Sequence, residues 1–277
     1  MNLRATVWSV RREVWENRSI YIAPLIVAAV IVFGALISAL TGRHAVKFDA
    51  TPDKIAQPYD LVAGVLMGTT LIVAIFYCLD ALYGERRDRS ILFWKSMPVS
   101  DLNTVLSKMA IPLVILPVVT FVVTIATHLI MLLLSTAFLV MHGHSPAALF
   151  ALPWLQMAFG LLYHLLSVHA LGYAPIFAWL LLVSAWAKRL PFLWAFLPPA
   201  AIAVVEKIVF NTSRFGTLIG SILSGGEMGG SMKGGDSMFA RFNPGEFLSR
   251  PALWIGLIVA AACLAAAVRL RRYRDPI

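Results

Sequence analysis

At 277 residues, 60% hydrophobic and only 13% charged, with a mean hydropathy of +0.81, this chain falls outside the range of soluble domains, which run about 45 to 50% apolar and about 25% charged. The formal charge of +9 would suggest nucleic acid in a soluble protein. Here basic residues held on the cytoplasmic side of membrane spans account for it, and no nucleic-acid partner is expected. Cys78 and Cys263 sit within apolar runs, which argues against a disulfide framework and against a cysteine-based metal site.

The amino terminus lacks the short apolar core and small-residue cleavage site of a signal peptide, so it is expected to be retained. Leu3, Val7, Val10 and Val14, with Trp8 and Trp15, recur at helical spacing while Arg4, Arg11, Arg12 and Arg18 fall on other faces. This pattern describes a helix lying in the lipid headgroup region.

A helix needs roughly 20 apolar residues to cross the hydrocarbon core. Segments 20–40 and 61–83 satisfy this. Segment 111–141 is longer than required and carries Pro112 and Pro117 near its start, where a bend is expected. From 147 to 187 the chain is apolar again but interrupted by Gly172-Tyr173-Ala174-Pro175. Splitting there leaves a piece too short to span, so 145–155 reads as a short interfacial segment and 156–187 as one span broken near its middle. Segments 192–210, with Pro198-Pro199 as a kink, and 253–270 complete six spans in a single transmembrane domain covering 1–277. The region 211–250 is left as an outer loop, and its Gly/Met-rich part, 224–238, is too rich in glycine to hold regular structure.

Charge sets the orientation. With both termini cytoplasmic, fifteen of the 23 Lys and Arg residues fall on the inner side and eight remain outside. Lys188-Arg189 and Arg269 to Arg272 then lie directly at inner exits. An odd span number would export the basic carboxyl-terminal tail.

Motifs for chemistry are scarce. Leu223-Ser224-Gly225-Gly226-Glu227 resembles an ABC signature sequence, but no G-x-x-x-x-G-K-[ST] phosphate loop accompanies it and more glycine follows where a helix start is needed. The chain is therefore not expected to be an enzyme. Met228, Met232 and Met238, with His142 and His144, have the softness for Cu(I) but not the regular spacing, and no metal site is assigned. Polar residues inside spans are costly and hence suspects for a translocation path: Gln156, His164, His169, Glu206 and Lys207, with His128 as a further intramembrane group. His164 and His169, roughly 140 degrees apart on an α-helix, cannot ligate one metal from an unbroken helical face. Asp80 is expected to pair locally with Arg86 or Arg87.

The most charged stretch, 84–101, lies between spans two and three. Glu85, Arg86, Arg87, Asp88 and Arg89 are followed by Ile91, Leu92, Phe93, Trp94 and Lys95, then by a Met97-Pro98-Val99-Ser100 turn. This segment resembles the cytoplasmic coupling region of ABC-2 type permeases, and the span plan resembles that family throughout. The resemblance implies an all-α fold of six transmembrane helices with an amino-terminal interfacial helix and a coupling helix formed by Glu85 to Trp94. It also implies a permease subunit of an ATP-driven exporter in a bacterial cytoplasmic (inner) membrane, paired with a second permease subunit as a homodimer. A separate cytosolic ATPase would bind ATP and Mg, while this chain carries no cofactor. Apolar anchors Ile91, Leu92, Phe93 and Trp94, with arginines as a steering rim, suit a groove-docking element. The competing reading is an ATP-independent channel or ion-coupled carrier.

Overall fold

The computed structural model describes residues 3–41, 52–91, 93, 99–224 and 244–273. The described residues are mostly helical, with no strand among them. Six helices are long and apolar enough to cross a membrane: Ser19–Thr41, Lys54–Arg87, Asp101–Met141, Trp154–Gly172, Pro191–Phe210 and Pro251–Tyr273. The chain is thus a multi-pass membrane protein.

Helix α1 (Leu3–Glu16) precedes α2 (Ser19–Thr41). Next come α3 (Pro52–Ala81) and the short α4 (Tyr83–Arg87). Helix α5 (Asp101–Ala110) starts at Ser100, whose hydroxyl accepts from the Asn103 amide and so satisfies one of the free N–H groups of the first turn. It passes through a π-helical turn, Ile111–Ile115, into α6 (Leu116–Met141). The bend expected at Pro112 and Pro117 takes this form. A proline lacks the N–H that would close an α-turn, and widening the turn to i→i+5 bonding absorbs the defect without ending the helix. Helix α7 (Ala147–Phe150) fills the expected interfacial segment, with Leu149 and Leu152 buried beside Ile55, Ala56 and Tyr59 of α3.

The fourth apolar region consists of α8 (Trp154–His164), a second π-helical stretch (Leu165–Gly172) and α9 (Ala174–Trp186), interrupted only at Tyr173. Its course is legible from its partners. Met157 packs with Ile55 and Ala56, Leu161 and Leu165 with Ala63 and Met67, and Phe177 and Leu181 join the cluster that includes Ala74, Tyr77 and Cys78. Ser184 meets Leu82 and Tyr83. Residues 157 to 184 therefore run alongside residues 55 to 83 in the same direction. The break at Gly172 to Pro175 interrupts this course without reversing it, and the two π-helical stretches lie in contact with each other.

Helix α10 (Pro191–Phe210) continues through Pro198 and Pro199. Helix α11 (Arg214–Ser224), the short α12 (Pro244–Leu248) and α13 (Pro251–Tyr273) complete the described chain. Helix α13 packs along α9, and the approach is close: a Cβ on Gly256 would meet Pro175 Cγ at 2.9 Å. Small residues let membrane helices approach this way, since lipid supplies no hydrophobic drive for association. Of the Gly/Met-rich segment 224–238, Ser224 ends α11 and residues 225–238 lie outside the described residues.

Candidate functional site

At one end of the bundle, charges from four elements converge in a buried cluster. Glu13 of α1 is 1% exposed and Lys108 of α5 is 3% exposed. Lys108 Nζ lies 2.9 Å from Glu13 Oε1 and 3.0 Å from Glu85 Oε1. Tyr77 OH donates to the other Glu13 oxygen at 2.9 Å. Arg271 of α13 reaches Glu85 Oε2, and its Nε donates to Asp101 Oδ1 at 3.1 Å. Arg12 contacts Glu13 at 2.7 Å and Glu85 at 3.8 Å.

Three cations (Arg12, Lys108, Arg271) thus meet three carboxylates (Glu13, Glu85, Asp101). Burial of charge at this level is tolerated only when each ion is paired and hydrogen-bonded. Burial alone would raise the Glu13 carboxyl, but Lys108 and Arg12 outweigh it and hold Glu13 below the usual carboxylate range. Glu16, one turn along and less well paired, is pushed up by its partial burial.

The cluster ties down the charged segment that follows α3. Glu85 is its hub. Arg86 is 3% exposed and donates to the carbonyls of Ala185, at 2.5 Å, and Ala187, capping the end of α9. Ser184 Oγ accepts from the amides of Leu82 at 3.0 Å and Tyr83 at 2.8 Å. Ile91 is buried. Glu85, Arg86 and Ile91 are therefore spent on the chain's own interior. Arg87, Asp88, Arg89 and Phe93 face outward. Leu92, Trp94 and Lys95 lie outside the described residues. Asp80 pairs with Arg87 at 3.9 Å, with both side chains mostly exposed.

Helix α1 presents two faces. Glu13 and Thr6 point into the protein, where the Thr6 hydroxyl donates to Asn103 Oδ1 at 2.6 Å. Val7, Trp8 and Trp15 are each more than 60% exposed, and the Arg11 guanidinium lies over both indole rings. Aromatic rings flanking an arginine fit a headgroup layer.

The five suspected translocation-path residues separate. Gln156 and Lys207 are exposed. Glu206 accepts from Thr212 Oγ1 and from the amides of Arg214 and Phe215, at 2.8 to 2.9 Å, so it caps the start of α11. His164 ends α8 and His169 lies within the π-helical stretch that follows. The roughly 140 degrees between them applies to an α-helix, and the chain from 165 to 172 is π-helical instead, closing bonds from i to i+5. His169 Nε2 meets Met67 O at 3.1 Å, and His128 Nε2 meets Tyr59 O at 3.0 Å.

Among the described residues no three His, Cys, Asp or Glu side chains converge to hold a metal. His142 Nδ1 contacts Phe138 O at 2.8 Å, while Met228, Met232 and Met238 lie outside the described residues. Glu13, Asp101 and Tyr77 were missed by sequence reasoning, and Lys108 and Arg271 were counted only as inner-side charges. The available signal was an acid at 13 on the same helical face as Thr6 and Val10, in a helix whose other charges are mostly basic. No family model, curated protein or solved structure matches the chain.

Proposed function

We propose that the chain is the membrane-spanning permease subunit of an ATP-driven ABC exporter, working with a second copy of itself and a separate cytosolic ATPase that binds ATP and Mg. The observation that carries this reading is the clamp on the 82–91 segment. Glu85 is held by Lys108 and Arg271, Arg86 by the Ala185 and Ala187 carbonyls, and the 82–83 backbone by Ser184. A segment so fastened to α1, α5, α9 and α13, yet presenting Arg87 and Arg89 and leading on to an exposed Phe93, is built to pass a push from outside the membrane into several helices at once. On this reading both termini and the 84–101 segment are cytoplasmic, in a bacterial inner membrane.

The rival reading, an ATP-independent channel or ion-coupled carrier, draws on the buried imidazoles of His128 and His169 at membrane depth. Purification of the tagged chain from its native membrane in mild detergent separates the two. The permease reading expects a stoichiometric second polypeptide and ATP hydrolysis in the purified material. A lone oligomer without ATPase activity, conducting or exchanging ions after reconstitution, contradicts it.

A further inference from the structure

Facing polar residues form a seam between α3 and α6 deep inside the bundle. Thr120, Thr124, Thr127 and His128 recur at one-turn spacing on a single face of α6 and are all buried. Opposite them, Thr70 Oγ1 hydrogen-bonds Thr120 Oγ1, and Tyr59 O meets the His128 ring. The two helices are therefore antiparallel along this seam, which covers residues 59 to 70, about 16 Å of helix. Thr124 lies between those two contacts, within about one turn of Met67, the residue whose carbonyl meets His169 Nε2.

Two polar atoms at this level have no hydrogen-bond partner among the described residues, Thr124 Oγ1 and His169 Nδ1. Thr127 returns its hydroxyl to the carbonyl four residues back, and Thr70 and Thr120 divide their two protons between each other and the Leu66 and Leu116 carbonyls. No such bond is made by Thr124. With Nε2 donating to Met67 O, His169 Nδ1 is left as a bare acceptor. Each unsatisfied buried group costs about 1 to 3 kcal/mol, and membrane interiors satisfy such groups internally or with water in a protein-lined cavity. Thr70, Thr120 and His169 also fall at or beside the middle of their segments, Lys54–Arg87, Asp101–Met141 and 154–186.

We infer that the seam around Thr124 and His169 is a hydrated site at mid-membrane, binding water through the Thr124 hydroxyl and the His169 Nδ1 lone pair. The π-helical stretch is what supplies the acceptor, because it turns His169 toward α3 while keeping the chain helical. Wet polar groups at this depth give α3, α6 and the 154–186 segment an interface that rearranges without exposing bare polar atoms to lipid.

Cysteine accessibility tests it. Thr124→Cys and the neighbouring apolar control Val123→Cys are made in a Cys78→Ala, Cys263→Ala background, reconstituted in nanodiscs and treated with a small cationic methanethiosulfonate. Only the thiolate reacts, and it forms only where water reaches, so Thr124→Cys should label about tenfold faster or more than Val123→Cys. Equal, negligible labelling of two monodisperse variants overturns the proposal. If either cysteine variant does not fold, the melting temperature of Thr124→Val decides: a fall indicates lost hydrogen bonds to water, whereas a rise or no change indicates a dry, unsatisfied hydroxyl and overturns the site.

Discussion

Lys108 holds together two carboxylates that repel each other in its absence. Replacing it with Met would leave Glu13 and Glu85 buried and short of a cation, the situation in which breaking a buried pair costs about 3 to 5 kcal/mol. The expected outcome is a large fall in detergent melting temperature for Lys108→Met, while Arg87→Ala, whose partners Asp80 and Asp88 are exposed, leaves it unchanged. Comparable losses from both substitutions contradict the buried cluster. Glu13 adds a pH dependence. Its folded carboxyl lies below the usual range, so its contribution is fully present above the unfolded value near 4.5 and is lost as pH falls through the lowered folded value. Glu16, shifted upward, has the opposite sign, since its charged form is disfavoured by folding. Melting temperature should therefore drop as the medium is acidified below the carboxylate range, and Glu13→Gln should flatten that part of the curve. An unaltered acid limb in Glu13→Gln would show that other carboxylates dominate.

Gly256 and Gly34 give a matched pair at the level of whole helices. A Cβ at Gly256 meets Pro175 at 2.9 Å, against a rigid ring at the start of α9, whereas a Cβ at Gly34 meets nothing within 4 Å. Gly256→Ala should cost about 1 to 3 kcal/mol through overpacking, and Gly34→Ala should be neutral or gain up to about 1 kcal/mol of helix propensity. Thermal melts of the two variants check this, and a neutral Gly256→Ala would mean that α13 is free to back away from α9. Helix existence was legible in the sequence because apolar runs of span length have few alternatives. The interruption at Gly172 to Pro175 was legible for the same reason, since proline and glycine punctuate a helix wherever they occur. The π-helical stretch was not. It depends on how His169 and Leu165 seat against α3, a tertiary demand that local periodicity does not carry. Glu85, Arg86 and Ile91 looked like members of one exposed docking segment because charge and apolarity alternate over a short range. Their burial follows from Lys108, Arg271 and Ala185, which are distant in sequence.

Across the molecule, the clamp on the 82–91 segment and the two-faced α1 give a mechanical reading to a span plan drawn from apolar length and basic residues. If that segment docks an ATPase, the apolar anchors and the charged rim should behave differently. Buried aromatic anchors commonly cost about 2 kcal/mol or more each on truncation, non-additively. Rim charges mainly set association rate and salt sensitivity. Because Arg86 is consumed by the Ala185 and Ala187 carbonyls, the rim is Arg87 and Arg89. The deciding measurement is ATPase retention by the tagged chain in detergent, compared for the wild type, the Leu92→Ala, Phe93→Ala, Trp94→Ala triple variant and the Arg87→Ala, Arg89→Ala double variant, each shown to be monodisperse. The permease reading predicts that the triple variant loses the ATPase at all salt concentrations while the double variant keeps it at low ionic strength and releases it as salt rises. Retention unchanged in the triple variant, or no ATPase bound to the wild type, contradicts it.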